Sequence, residues 1–379
     1  MQRAAAFALS ALLILSSTAH AAPPDMPFGR DQARTIIAQG RQITSPNGVQ
    51  ELKPVEINGI RQWISVRGND RRNPILLYIH GGPGSVEMVE SWGYQRPWED
   101  FFTVVQWDQR GAGKTFASNT REAMAPGMTI DGMVADAEAM IRYLRTTYGK
   151  QKVFVLGHSW GSIIGEEIAR RHPEWLHAYL GAGQIADSPR SEADGYRWAL
   201  EQARQQENAV AVRELEALAP YPGPRGTLTI ERIGAQRKWT MYFGGLAWGR
   251  TEYKPFDDAR KLSPDYSNEE LAAIDQGSLF SLEHLLAPMA AADFSKHTRF
   301  ACPVFIFNGR HDYTTSNEVA ARWFATLHAP LKRMFWFDDS AHLMMQEQPG
   351  LFLMHLVNDV RPLAARAGDV PPGEAAPKR

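Results

Sequence analysis

Cysteine is almost absent from this chain: one residue, Cys302, in 379. A single thiol cannot close an internal disulfide or build a cysteine zinc site, and it suits an oxidising compartment. Neither sign of charge is in excess, with 41 Lys and Arg against 42 Asp and Glu. That balance excludes a polybasic nucleic-acid binder, and with 10% aromatic residues it excludes an acidic disordered protein. The sequence has no H-E-x-x-H, no spaced His/Cys set and no internal repeat of 20–50 residues, so no metal site is expected. Long apolar runs are also missing. The one candidate, Ala4 to Leu15, is too short to span a bilayer comfortably. What is present is 44% hydrophobic residues, enough at this length for a large core.

The apolar run has a better reading. Arg3 precedes it, and small residues ending Ala19-His20-Ala21 follow. A basic start, a short apolar core and an A-x-A site make a secretory signal over residues 1–21, with cleavage after Ala21. The expectation is a periplasmic or secreted protein with no stable membrane insertion once the signal is removed.

Downstream, a short helix is expected around Asp31 to Gln39. Val49 to Ile57 and Ile60 to Val66 flank Asn58-Gly59, a strong hairpin signal. Short runs apolar on both faces follow at Pro74–Ile79, Phe102–Trp107, Val153–Leu156, His177–Leu180, Val304–Phe307 and Lys332–Phe337. Helical patterns lie between them, clearest over Thr129–Tyr148, with Gly149 to cap it, and over Ser162–Arg171. Alternating strands and helices predict an α/β fold with a mostly parallel central sheet and an N-terminal antiparallel hairpin. The alternation breaks at residues 185–298, read as a helical cap inserted between core segments 22–184 and 299–362. Residues 363–379 are expected to be disordered.

The strongest chemical signal is Gly157-His158-Ser159-Trp160-Gly161. It fits G-x-S-x-G, follows an expected strand and opens an expected helix, the context in which this turn presents a nucleophilic serine. A serine hydroxyl needs a base and a group orienting that base. The chain order Ser…Asp…His assigns His342 as base and Asp312 as orienter, each just past a strand. Asp187 is the best competing acid. The glycines of His80-Gly81-Gly82-Pro83-Gly84 would let backbone approach a reacting carbonyl, so Gly82 and Trp160 N–H are the expected oxyanion donors. Gly111-Ala112-Gly113-Lys114-Thr115 ends like a P-loop. Asp108 stands where that motif needs glycine, so no nucleotide cofactor is expected. Asp108 and Arg110 are expected to organise the loop beside the site. Trp239, Trp248, Tyr242 and Phe243 could line a pocket or fill the cap core.

HGGPG at His80–Gly84, DQRGAG at Asp108–Gly113 and GHSWGS at Gly157–Ser162 together make the chain resemble the proline iminopeptidase family of α/β-hydrolases. The resemblance runs from about residue 50 to 360 and is weakest in the insertion. It implies an α/β-hydrolase fold and a Ser-His-Asp hydrolase with a helical cap, without a cofactor, acting on small molecules or short peptides. Known members release N-terminal residues, particularly proline; others with the same motifs are esterases or amidases. In that family, cap glutamates bind the substrate's free amino group. The resemblance matches Glu283 to this role, with Glu231 and Glu252 as possible seconds. A non-catalytic binding protein on the same scaffold is the remaining alternative, because fold does not fix function.

Overall fold

The computed structural model describes residues 28–224 and 227–374. The expected signal segment, 1–21, lies outside the described residues. Helix α1 spans Arg30–Gly40 and leads into the hairpin of β1 (Val49–Ile57) and β2 (Ile60–Gly68). The hairpin closes with Ile57 opposite Ile60, so Asn58-Gly59 is its two-residue turn, and both turn residues have positive φ. The next elements are β3 (Ile75–Ile79), β4 (Thr103–Asp108), α2 (Gly113–Ala117), α3 (Arg121–Met124) and α4 (Ile130–Thr147). Strand β5 (Val153–His158), helix α5 (Trp160–Arg171) and strand β6 (Leu176–Ala182) follow.

The eight strands lie in the order β1-β2-β4-β3-β5-β6-β7-β8, with β7 at Val304–Gly309 and β8 at Lys332–Phe337. The pairs β1–β2 and β2–β4 are antiparallel; all others are parallel. Both sheet faces are covered, and the sequence shows why. Ile75, Leu77 and Ile79 of β3 join one apolar cluster while Leu76 and Tyr78 join the other. Val304 and Ile306 of β7 are divided from Phe305 and Phe307 in the same way. Period-two alternation of apolar residues on both faces is the signature of a buried parallel strand. Helix α4 begins where Thr129 Oγ1 accepts the Gly132 N–H at 3.0 Å and stops just before Gly149, at φ +65°.

Between β6 and β7 the described elements are helices: α6 (Ser188–Gln205), α7 (Ala209–Glu216), α8 (Ile230–Tyr242), α9 (Lys254–Arg260) and α10 (Asn268–Ala290). Helix α10 opens with a reciprocal cap, Ser267 Oγ accepting from Glu270 N and Glu270 Oε2 from Ser267 N. It lies against two core loops: Ser278 Oγ donates to Gly84 O at 3.1 Å and Ser281 Oγ to Gly111 O at 3.0 Å. A Cβ on Gly84 would sit 2.8 Å from Ser281 Cβ. That glycine therefore permits the close approach of a cap helix as well as the turn of its own loop.

The C-terminal part departs from expectation. After α11 (Asn317–Thr326), α12 (Met344–Glu347) and α13 (Pro349–His355), helix α14 (Pro362–Arg366) runs into the stretch expected to be disordered from residue 363. The chain stays on the core as far as 374. Ala364 is buried, and Asp369 meets Lys150 Nζ at 2.5 Å and His177 Nε2 at 2.9 Å. The Pro-, Gly- and Ala-rich composition suggested disorder, but one carboxylate with two partners far away in sequence holds the segment.

Candidate active site

The carboxyl ends of β3, β5, β6, β7 and β8 emerge at one edge of the sheet, and every candidate catalytic residue follows one of them. Ser159 lies between β5 and α5 with φ +52° and ψ −120°, a conformation that only a tight strand-to-helix turn imposes on a serine. Its N–H donates to Ala182 O at the end of β6, at 2.9 Å. A Cβ placed on Gly81 would sit 3.0 Å from Ser159 Cβ, a tight contact, so the HGGPG loop packs closely against the serine.

His342 follows β8 and Asp312 follows β7. Asp312 Oδ2 accepts from His342 Nδ1 at 2.7 Å and from Thr315 Oγ1 at 2.9 Å, while Oδ1 accepts the N–H groups of Thr314 and Thr315, both at 2.9 Å. The carboxylate is fully buried and four donors fix its orientation. Asp187, the competing acid, instead caps α6 through Arg190 N and pairs with Arg190. Ser159 and His342 line one cavity of about 480 Å³, with Gly82 in its wall. Among the described residues the Ser159 hydroxyl makes no hydrogen bond. Catalytic contacts of this kind commonly tighten only when substrate is bound.

No hydrogen bond among the described residues engages the Gly82 N–H, and Trp160 is the first residue of α5, where N–H groups lack intrahelical acceptors. A buried network steadies both. Gln109 Nε2 donates to His80 O at 2.9 Å, and Trp160 Nε1 donates to Gln109 Oε1 at 3.2 Å. Burial lowers the His80 pKa to about 4, so the ring is neutral. Its Nδ1–H donates to Gly81 O at 2.9 Å and its Nε2 accepts the Gln109 N–H at 3.3 Å. Burial likewise lowers His158 to about 3, with help from the neighbouring His342. Neutral His158 donates from Nε2 to His342 O at 3.0 Å and so holds the His342 backbone. Asp108 and Arg110 do organise the adjoining loop. Asp108 accepts from Lys114 N and Tyr266 OH, and Arg110 forms a two-pronged pair with Asp136 at 2.7 and 3.0 Å.

Several residues here escaped sequence reasoning. Gly183 has φ +54°, and a Cβ on it would come within 2.7 Å of His342 Cε1. Leu246 O, from the helical insertion, accepts the His342 N–H at 3.0 Å, and Gly245 O accepts the Tyr313 N–H at 3.0 Å. Glu347 accepts from Ala341 N at 2.9 Å and from Trp248 N, tying the histidine loop to the insertion. Only the Asp-x-Thr-Thr run at 312–315 left a trace in the sequence, since Asp followed by turn-forming residues often binds the next N–H groups.

The amine-anchor expectation fails on geometry. Glu283 does not line the cavity; its side chain is 46% exposed and lies 3.9 Å from Arg121. On α10 the residues in the cavity wall are Ser278, Leu282 and Met289, and one further residue rotates about 100° to the outside. Glu231 and Glu252 are exposed and also absent from the wall. The aromatic group is not pocket lining either. Trp239 and Phe243 are buried in a cap cluster, while Tyr242 and Trp248 are each 41% exposed. The charged cavity residues are Glu87, Glu192, Arg237 and Arg260, and most of the remaining wall is apolar, including Ile185, Ile233 and Leu343.

Comparison with known proteins agrees with this architecture. Over 321 residues the chain is 26% identical to the Bacillus subtilis protein named Probable aminopeptidase YbaC, covering 84% of this chain and 99% of that one. Over 126 residues it is 36% identical to a proline iminopeptidase of Neisseria gonorrhoeae, covering 33% of this chain and 37% of that one. The crystal structure of a proline iminopeptidase from Mycobacterium smegmatis superposes with a TM-score of 0.59 at 19% identity, covering 84% of this chain and all of that one, a likeness of fold. Residues 74–349 match the family described as alpha/beta hydrolase fold. With that match spanning most of the chain, and with the parallel sheet carrying a strained serine turn at its carboxyl edge, the protein belongs to the α/β hydrolase fold family.

Proposed function

We propose that this chain is an exported serine hydrolase working through Ser159, His342 and Asp312, and that it acts as an aminopeptidase on short peptides. The observation that carries the reading is the Asp312–His342 contact at 2.7 Å beside a cavity that the strained Ser159 also lines.

With its proton on Nδ1 and held by Asp312, the His342 imidazole keeps Nε2 as its basic nitrogen. Nε2 takes the Ser159 proton as the hydroxyl oxygen attacks the substrate carbonyl. The resulting oxyanion is met by the Gly82 and Trp160 N–H groups, and Asp312 stabilises the imidazolium. Collapse expels the leaving amine, which takes the proton from Nε2, and an acyl-enzyme remains. Water then attacks by the same route and frees Ser159.

The aminopeptidase choice is supported by the likeness to a probable aminopeptidase along nearly that protein's whole length. A second reading, an esterase or amidase for small acyl groups, is favoured by the apolar wall of the cavity. Export rests on residues 1–21, and N-terminal sequencing of the exported protein should start at Ala22. A start at Met1 contradicts it.

Ser159→Ala tests the catalytic reading. The turnover of an aminoacyl arylamide should fall by about 10⁶, as when a triad serine is removed. Retention of a tenth of the wild-type rate would refute it.

A further inference from the structure

With Glu283 outside the cavity, the aminopeptidase reading lacks a group to hold the substrate's amine. Four charged residues line the cavity, and three of them are already neutralised. Glu192 holds the Arg237 guanidinium with both carboxylate oxygens and accepts the Tyr221 hydroxyl at 2.8 Å. Arg237 gives its remaining contacts to Gln236 Oε1 and Thr314 O. Arg260 pairs with Glu90 through Nε at 2.5 Å and with Asp257 at 3.1 Å, and reaches the Tyr253 hydroxyl at 3.2 Å.

Glu87 differs. Its donors are neutral, Tyr94 OH at 2.9 Å and Gln346 Nε2 at 2.5 Å, and both go to Oε1. Among the described residues no hydrogen bond uses Oε2 and no cation pairs with the carboxyl. The residue is 7% exposed, and it lines the cavity that contains Ser159. A carboxyl removed from water without a cationic partner is costly to ionise, and a ligand cation relieves that cost.

We infer that Glu87 receives the free amino group of the substrate through Oε2, an inference that rests on the aminopeptidase reading above. Glu87 lies five residues after Gly82 on one continuous loop, so a single segment would set the spacing between the carbonyl seat and the amine seat. Such a spacing selects the first peptide bond of a chain. Burial, with neighbouring Glu90 and against the opposing pull of the Tyr94 hydroxyl and the Arg260 charge, raises the Glu87 pKa to about 8, close to the 7.7–8.0 typical of an α-amino group. An ammonium–carboxylate pair then forms in either of two ways: the amine takes the Glu87 proton, or it arrives already protonated and displaces that proton to solvent.

The test compares alanyl 4-nitroanilide with propionyl 4-nitroanilide, which differ only in the amine. In the wild-type protein the ratio of their kcat/KM values should favour the alanyl substrate. Glu87→Gln should lower that ratio at least tenfold, mainly through KM, while Glu283→Gln should keep the wild-type ratio. An unchanged ratio in Glu87→Gln overturns the inference and leaves the aminopeptidase reading standing. A wild-type ratio near one overturns both. A second readout does not depend on how the variant folds: alaninamide should protect wild-type Ser159 from a fluorophosphonate at concentrations where propionamide does not. Equal protection by the two amides overturns the assignment of Glu87.

Discussion

At Gly183 a single hydrogen in place of a methyl group leaves room for the His342 ring. An added Cβ would meet His342 at Cε1 and Nδ1, and φ of +54° is strained for any other residue. Gly183→Ala should therefore lower kcat by about 10²-fold, the scale expected when a catalytic group is displaced by ~1 Å. Steady-state kinetics beside a thermal melt will separate this from unfolding. Asp312→Asn poses the complementary question. It keeps the shape but loses the acceptor that fixes the Nδ1–H tautomer, so kcat should fall by about 10⁴. A fall of less than tenfold would remove Asp312 from the mechanism. The positions of Ser159, Asp312 and His342 just past β5, β7 and β8 were legible in the sequence, because the apolar runs mark where those strands end. The contacts of Gly183 with His342 and of Glu87 with Gln346 were not, because they join segments remote in sequence.

Among the elements, the strands were read most faithfully. Alternating apolar residues on both faces fold between two layers, as in β3 and β7, and even the half-exposed edge strand β8 falls on Lys332–Phe337 as expected. Helix α10 was misread at Glu283 because the sequence shows a helix but not which arc of it faces the cavity. The loop after β4 offers a pH test. Burial raises the Asp108 pKa to about 7, and its Oδ1 has no partner among the described residues. The fold thus favours protonated Asp108, whereas the unfolded chain releases that proton near pH 4. The stabilisation is complete below about pH 4 and lost as pH rises through about 7, by roughly 4 kcal/mol at most. Urea unfolding of Asp108→Asn from pH 4 to 8 should show a flatter profile than wild type. Parallel profiles would mean that Asp108 is ionised in the fold.

At the scale of the molecule, the helical insertion and the core share the site. The insertion's Leu246 and Gly245 carbonyls bind the histidine and aspartate loops, and α10 rests on the glycine loops. Composition suggested an insertion over residues 185–298, but not that its carbonyls would bind the His342 and Tyr313 N–H groups. The C-terminal segment was missed for a similar reason. Its anchor is Asp369, whose pKa stays lowered, despite burial, through His177 and Lys150. Asp369→Ala should cost about 1–3 kcal/mol in urea unfolding. A loss below 0.5 kcal/mol, the usual range for surface changes, would mean that the segment adds nothing to stability.

The central claim is that Ser159 is a nucleophile activated by His342. Its most direct measurement is the site and stoichiometry of fluorophosphonate labelling, read by mass spectrometry of the digested protein. One adduct per chain is expected, on Ser159, formed at least about 10²-fold more slowly in His342→Ala, within the 10²–10⁴ that a positioned general base contributes. An unlabelled Ser159, or labelling at the same rate without the histidine, would contradict it.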